Sequence, residues 1–344
     1  MKILNNIFSL TNNQSSHKVL TVLGIKFKFK LKRKGNLLGS NITPKKLVAY
    51  IEQLKFILDS CCDITQCKPA KGNFRLVQNF RAKVLNYLVQ ILEENNITYW
   101  ADGGTLLGAF RHKGFVPWDD DIDLATDRQN YDKMMKFLPE ILANSGFSFD
   151  YGRDHTGFYM KIYYNDFDIT DIFVYDYSNN PCSKEELYEI WLNSRDKFYA
   201  KHLPQRLWAG QIQFDNIRSD MYEFYKESGL VLEDNSLNNV WLFKGFDAAT
   251  KNKTCNIFAV NDIFPLKKIK FENMEMYAPN NIDTYLSTVN SCGYGDYMTF
   301  PPLSATHIFL SDEYENEEFS DKLQELEAHF DKYIAEKPVL TTVK

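Results

Sequence analysis

Four aspartates fall within five residues: Asp119, Asp120, Asp121 and Asp123. On an extended chain alternate side chains share a face, so Asp119, Asp121 and Asp123 are expected to point the same way. Three carboxylates on one face repel each other unless a cation sits among them. Hard oxygen ligands of this kind suit Mg²⁺ or Mn²⁺. Upstream, Gly103, Gly104 and Thr105 are expected as a tight turn with exposed backbone amides, opening a short helix through Leu106, Leu107 and Phe110. Free N–H groups and the positive end of a helix make such a start a cradle for phosphate. Alone, an Asp-x-Asp is usually a solvated turn or a cap, and a lone Gly-Gly-Thr is a weaker signal still. Together, with Arg111, His112 and Lys113 between them, they point to phosphoryl transfer from a nucleotide-type donor.

These residues need a scaffold. The apolar run 97–100 is expected as a buried strand leading into the glycines, and Gly114 and Pro117 end the short helix. Thr43-Pro44 reads as a helix start, followed by Leu47, Val48, Ile51, Leu54, Ile57 and Leu58 at helical spacing. After a loop over 68–73, a long amphipathic helix is expected over 75–94, closed by Asn95-Asn96. Thr126 is expected to cap a helix over 127–144. Strands follow over 147–151, 158–164 and 167–174, then helices over 183–201 and 218–227, and a loop-rich stretch over 230–253. Residues 263–276 read as a strand pair hinged at Glu272-Asn273, with a helix over 282–289 and a charged amphipathic helix over 312–337. Asp168 and Asp171 lie in a run that otherwise reads as buried strand. A metal shared with Asp121 and Asp123 would supply a partner for Asp171; alternatively Asp168 or Asp171 ends a strand or pairs with Lys161. Lys161 is either a ligand for donor phosphates or an ordinary structural lysine.

With 344 residues, 44% of them apolar and 15% aromatic, the chain can bury a proper core. A net charge of −5 argues against a nucleic-acid partner. Cys61, Cys62 and Cys67 cluster, but no fourth cysteine or nearby histidine completes a zinc site. Nothing resembles a signal peptide, and no apolar run reaches the ~18 residues needed to span a bilayer, so a cytoplasmic location is expected. Residues 1–16, polar and rich in Asn and Ser, are expected to be loosely ordered. Within the basic segment 17–34, the run from Ile25 to Lys32 alternates apolar residues with lysines, the period of a strand. It is either a lysine-protected edge strand or a surface that makes peripheral contact with anionic lipid at the cytoplasmic face of the membrane. The fold class is α/β (α+β), a mixed sheet with helical additions at both ends. The expected parts are the basic segment 1–40, a catalytic domain 41–310 and a helical tail 311–344.

The stretch 99–124, YWADGGTLLGAFRHKGFVPWDDDIDL, resembles the signature of the LicD/fukutin family, GTLLG…RH.G.IPWDDD.D, almost letter for letter. The DIT…PA.G..R..Q wording of 63–78, containing Arg75 and Gln78, resembles its bacterial members. A third block, FPL.KI.FEN followed by AP, YGDYM and PP, extends the resemblance to about residue 307, with Asn273-Met274 where the family often has Gly and Ser291-Cys292 before YGDYM. The resemblance implies a nucleotidyltransferase-like fold. It also implies transfer of a phospho-alcohol, phosphocholine or an alditol phosphate, from a CDP-linked donor to a hydroxyl of a cell-surface glycan of lipopolysaccharide, capsule or teichoic-acid type. On this reading Asp119, Asp121, Asp123 and Asp171 hold Mg²⁺ or Mn²⁺, and Asp121, Asp123 and Asp171 are the catalytic acids. Gly103, Gly104 and Thr105 seat the phosphates. Arg111 and His112 neutralise the departing CMP or bind phosphate oxygens, and Lys161 assists. Asp171 is preferred to Asp168, and Asp296 and His307 are implicated, on the resemblance alone. A glycosyltransferase using a nucleotide-sugar, a CTP-dependent nucleotidyltransferase and a binding protein with a dead site are the alternatives.

Overall fold

The computed structural model describes residues 8–13, 17–22, 25–30, 44–154, 157–178, 182–202, 214–231, 241–244, 256–289, 297–299 and 317–337. The chain divides into two compact units, Met1–Cys61 and Cys62–Lys344. In the first, strands β1 (Phe8–Asn13), β2 (His17–Val22) and β3 (Ile25–Lys30) form an antiparallel sheet in that order, and helix α1 spans Pro44–Cys61. Over Ile25–Lys30 the alternating run is therefore a strand, as its period predicts, and lies at the edge of this sheet among the described residues. The loose order expected of residues 1–16 is corrected over Phe8–Asn13, which pairs residue for residue with β2.

The second unit carries the candidate site. Its helix α2 (Gly72–Glu94) buries the stripe Val77, Phe80, Val84, Leu85, Leu88, Ile91 and Leu92 against the sheet. Next come β4 (Trp100–Ala101), α3 (Gly103–His112), β5 (Asp123–Asp127), α4 (Arg128–Ile141), β6 (Phe147–Asp154), β7 (Gly157–Tyr164) and β8 (Phe167–Ser178). Then follow α5 (Lys184–His202), α6 (Phe214–Glu227), β9 (Trp241–Lys244), β10 (Asn256–Ala259), the short α7 (Val260–Ile263), the hairpin β11 (Lys267–Phe271) and β12 (Met274–Ala278), α8 (Ile282–Val289) and α9 (Glu317–Glu336).

The main sheet is mixed. Its path runs β10-β9-β8-β5-β4, with β7 also on β8 and β6 on β7; β5 and β8 are parallel and the other pairings antiparallel. Strand β8, twelve residues long, is the trunk on which β5, β7 and β9 all pair. A second apolar cluster, with Leu187, Trp191, Phe198, Met221, Tyr225, Phe243 and Ile257, packs α5 and α6 onto β9 and β10.

Two expectations about elements need correction. Thr126 does not cap α4: it ends inside β5 and donates its hydroxyl to the Thr98 carbonyl at 2.6 Å, while Asp127 accepts from the Asn130 N–H at 2.9 Å as the true cap. The stretch 230–253 is not all loop, since Trp241–Lys244 is a central strand of the sheet. Four residues are too few to show a period, so nothing local marked that strand.

Candidate active site

The short helix and the acid strand meet end to end. Asp102 lies between β4 and α3, its carboxylate accepts from the Gly103 N–H at 2.7 Å, and α3 starts at Gly103 rather than after it. The tight turn with exposed amides is thus corrected: Gly103, Gly104 and Thr105 are buried residues of the first helical turn. Gly103 takes a φ of +46°, which favours glycine. A Cβ on Gly103 would lie 2.6 Å from Asp123 Oδ2, and one on Gly104 would run into Asp119 Oδ2. The glycines are bare because two carboxylates lie against them. Thr105 Oγ1 accepts the Asp123 N–H at 2.8 Å, locking the head of β5 to the helix start.

The acids do not sit on one strand. Residues 117–122 form an irregular loop, and β5 begins only at Asp123. Two side chains of α2 pin that loop. Gln78 donates to the Asp119 carbonyl at 2.7 Å. Arg81 donates to the carbonyls of Asp120 at 2.6 Å and Asp168 at 2.8 Å, and reaches the carboxylates of Asp120 at 3.0 Å and Asp121 at 3.3 Å. Asp120 is turned inward to Arg81, while Asp119 and Asp123 are half-buried and Asp121 is exposed. Arginine and glutamine hydrogen bonds, rather than strand pleating, therefore set how residues 119–121 are presented.

Strand pairing brings in Asp171. Parallel register sets Asp123 opposite Asp171, and the antiparallel register of β7 sets Lys161 opposite Asp171 on the other side. Lys161 Nζ is 2.9 Å from Asp168 Oδ2 and 3.0 Å from Asp171 Oδ1. Lys161 therefore pairs with both acids, the arrangement that the sequence left open as one alternative. Asp171 Oδ1 is nevertheless buried without a hydrogen bond of good geometry. Burial raises the Asp171 carboxyl to about 6, with Asp168 and Asp121 adding to the rise and Lys161 opposing it. Burial likewise holds Asp123 well above the usual carboxylate range, opposed by Lys244 and reinforced by Asp102, Asp121 and Asp171. Four carboxylates thus crowd one end of the sheet at an electrostatic cost that a cation would relieve. Among the described residues, no three acid, histidine or cysteine side chains are yet close enough together to enclose a metal ion.

Arg111 is buried, donates to the Tyr297 carbonyl at 2.8 Å, and has an Nε without a partner. His112 holds both ring nitrogens buried and unpartnered, edge-on to Trp118. Burial, with Arg111 beside it, lowers His112 to about 4, so at neutral pH it carries no charge and only Arg111 of the two is a cation. Asp296 and His307 lie outside the described residues. Arg75 is held in a two-pronged pair with Glu272, at 2.9 and 2.6 Å. Residues the sequence reading missed are Asp102, Arg81 and Lys244. An aspartate directly before a helix-opening Gly-Gly was a readable capping signal; nothing local marked the other two.

A glycine-opened helix is thus set against acids at the heads of two parallel strands. Residues 96–211, about a third of the chain, match the LicD/FKTN/FKRP nucleotidyltransferase domain. The chain is 48% identical over 52 residues to the lipopolysaccharide cholinephosphotransferase LicD of Haemophilus influenzae, a stretch covering 15% of this chain and 20% of that protein. It is 53% identical over 38 residues to the human ribitol 5-phosphate transferase FKRP, covering 11% of this chain and 8% of that one. An uncharacterised protein of Rickettsia prowazekii is 39% identical over 64 residues, or 19% of this chain and 24% of the relative. The chain thus matches no more than about a quarter of the length of any of these three.

Proposed function

We propose that this chain transfers a phospho-alcohol from a CDP-linked donor to a hydroxyl of a cell-surface glycan, with Mg²⁺ or Mn²⁺ as cofactor. The observation that carries the reading is the placement of Asp119 and Asp123 against Gly104 and Gly103, with Asp171 opposite Asp123. A bare phosphate entering that cradle would meet carboxylates and be repelled; a phosphate accompanied by a divalent cation would not. The donor set of Asp119, Asp121, Asp123 and Asp171 is all hard oxygen, which fits Mg²⁺ or Mn²⁺ in chemistry, and the buried Asp171 carboxylate has only the Lys161 ammonium to offset its charge on that side. A bound cation would neutralise charge on the two donor phosphates.

The chain's own residues do the rest. The first turn of α3 directs its dipole at the phosphates. Arg111 offers a buried positive charge to the departing CMP, and His112 offers a neutral ring N–H. Lys161 is within reach to balance charge at Asp168 and Asp171. One of the site's carboxylates, or the acceptor hydroxyl itself with its pKa lowered by the cation, would account for the deprotonation.

The test is a thermal shift with Mg²⁺ against CTP, CMP, CDP-choline, CDP-glycerol, CDP-ribitol and UDP-glucose. A ligand at a hundred times its Kd adds about 2.7 kcal/mol, a visible rise in Tm. Metal-dependent stabilisation by one CDP-alcohol is expected, together with transfer from it. Asp121→Ala should lose both while its own Tm stays near the parent's, because Asp121 is exposed. A response to UDP-glucose alone would replace this reading with glycosyl transfer, and pyrophosphate release from CTP would replace it with nucleotidyl transfer.

A glycan under construction is held at a membrane, and the basic segment 17–34 is where this chain would meet anionic lipid from the cytoplasmic side. Among the described residues no helix is long and apolar enough to cross a membrane. Deleting residues 1–36 should move the protein from vesicle pellet to supernatant; equal pelleting of both forms would remove the lipid contact from the proposal.

A further inference from the structure

Asp102 is fully buried and its carboxylate receives three donors. Oδ1 accepts from the Gly103 N–H and from the Tyr285 hydroxyl, both at 2.7 Å. Oδ2 accepts from the Lys244 ammonium at 2.5 Å, with the Tyr175 hydroxyl 3.2 Å away and itself 2.6 Å from the Tyr285 hydroxyl. The backbone N–H of Asp102 donates to the Asp123 carbonyl at 3.0 Å. One residue therefore ties α3, β8, β9 and α8 to the head of the acid strand. A buried ion pair is a weak source of stability, because desolvation offsets the attraction and apolar residues of similar volume pack as well. Lys244 and Tyr285 both lie beyond the matched segment 96–211, yet both bond Asp102, the cap of its helix α3.

We infer that Asp102 and Lys244, braced by Tyr285, are positioning residues of the transfer site. They hold the first turn of α3 against Asp123, so that the glycine cradle and the carboxylates keep one spacing. They act through Gly103 and Asp123 rather than on the reacting atoms. Only the kinetic consequence of this rests on the phosphotransfer reading; the structural consequence does not.

The double variant Asp102→Asn/Lys244→Met removes both charges while keeping side-chain volume and the helix cap, so the fold is expected to survive. Hydrogen exchange over 102–112 and 241–244 needs no substrate, and there it should run about fivefold faster or more than in the parent. With whichever CDP-alcohol the parent uses, kcat should fall about a hundredfold, as for small misplacements of reacting groups. The donor KM should change far less. Lys244→Arg, which keeps the charge, should recover protection and most of kcat. Parent-like exchange and kcat in the folded double variant would overturn the inference, as would a change confined to KM. If the parent transfers from no CDP-alcohol, the phosphotransfer reading fails, and exchange alone still decides whether the pair positions α3. If the double variant does not fold, Tyr285→Phe removes one donor to Asp102 with little volume, and parent-like exchange there overturns the inference instead.

Discussion

His112 shows how environment rather than residue type sets a side chain's chemistry. Its ring nitrogens are buried and unpartnered, and its pKa falls from 6.5 to about 4 because burial, then Arg111, disfavours the charged form. Below about pH 6.5 the unfolded chain binds a proton that the folded chain refuses until about pH 4. The unfolded state therefore binds more protons across that window, and stability falls as pH falls through it. Denaturant melts at pH 7 and pH 5 should show that loss in the parent and a smaller one in His112→Gln. An unchanged slope in the variant would place the acid sensitivity elsewhere. Arg111, next to it, keeps its charge at neutral pH, so the cation expected of this Arg-His pair is a single one.

The hairpin β11–β12 braces the far end of α3. Glu272, at its turn with a φ of +52°, takes the pair from Arg75 and accepts the Phe115 N–H at 3.1 Å, while its own N–H donates to the Lys113 carbonyl at 2.8 Å. Against the upward pull of burial, Arg75 and the Phe115 N–H hold its carboxyl below the usual 4.5. A depressed acid contributes stability above its unfolded pKa and loses it as pH falls through its folded one. Glu272→Gln should therefore cost about 2 kcal/mol at pH 7, the scale of hydrogen bonds to a charged partner, and the deficit should shrink below pH 4.5. A deficit independent of pH would mean that the ion pair contributes nothing. The strand pair and its hinge were legible in the sequence, because alternation and turn chemistry are local. The anchoring of that hinge to α3 and α2 was not, since Arg75 and Glu272 are 197 residues apart.

The C-terminal helix α9 closes the core over α2. Phe330 is fully buried among the rings of Phe80, Tyr87, Phe147 and Tyr164. Lys83 of α2 pairs with Glu327 at 2.6 Å and with Asp331 at 2.8 Å. Phe330→Ala should cost about 3–5 kcal/mol of stability while leaving metal-dependent nucleotide binding in the folded fraction intact. A selective loss of that binding would give α9 a part in the site. By itself the sequence determined what periodicity and local chemistry encode: the helical stripe of α2, the strand β3, the glycine-opened helix and the aspartates beside it. These follow from neighbours within a few residues, where side-chain direction is fixed by the backbone period. Tertiary structure decided which acids meet. Only sheet register sets Asp171 opposite Asp123, only Gln78 and Arg81 bend the aspartate loop so that Asp120 turns inward, and only folding brings Lys244 to Asp102 across 142 residues. No spacing along the chain encodes those meetings, because they depend on how strands pair and helices pack rather than on any local period.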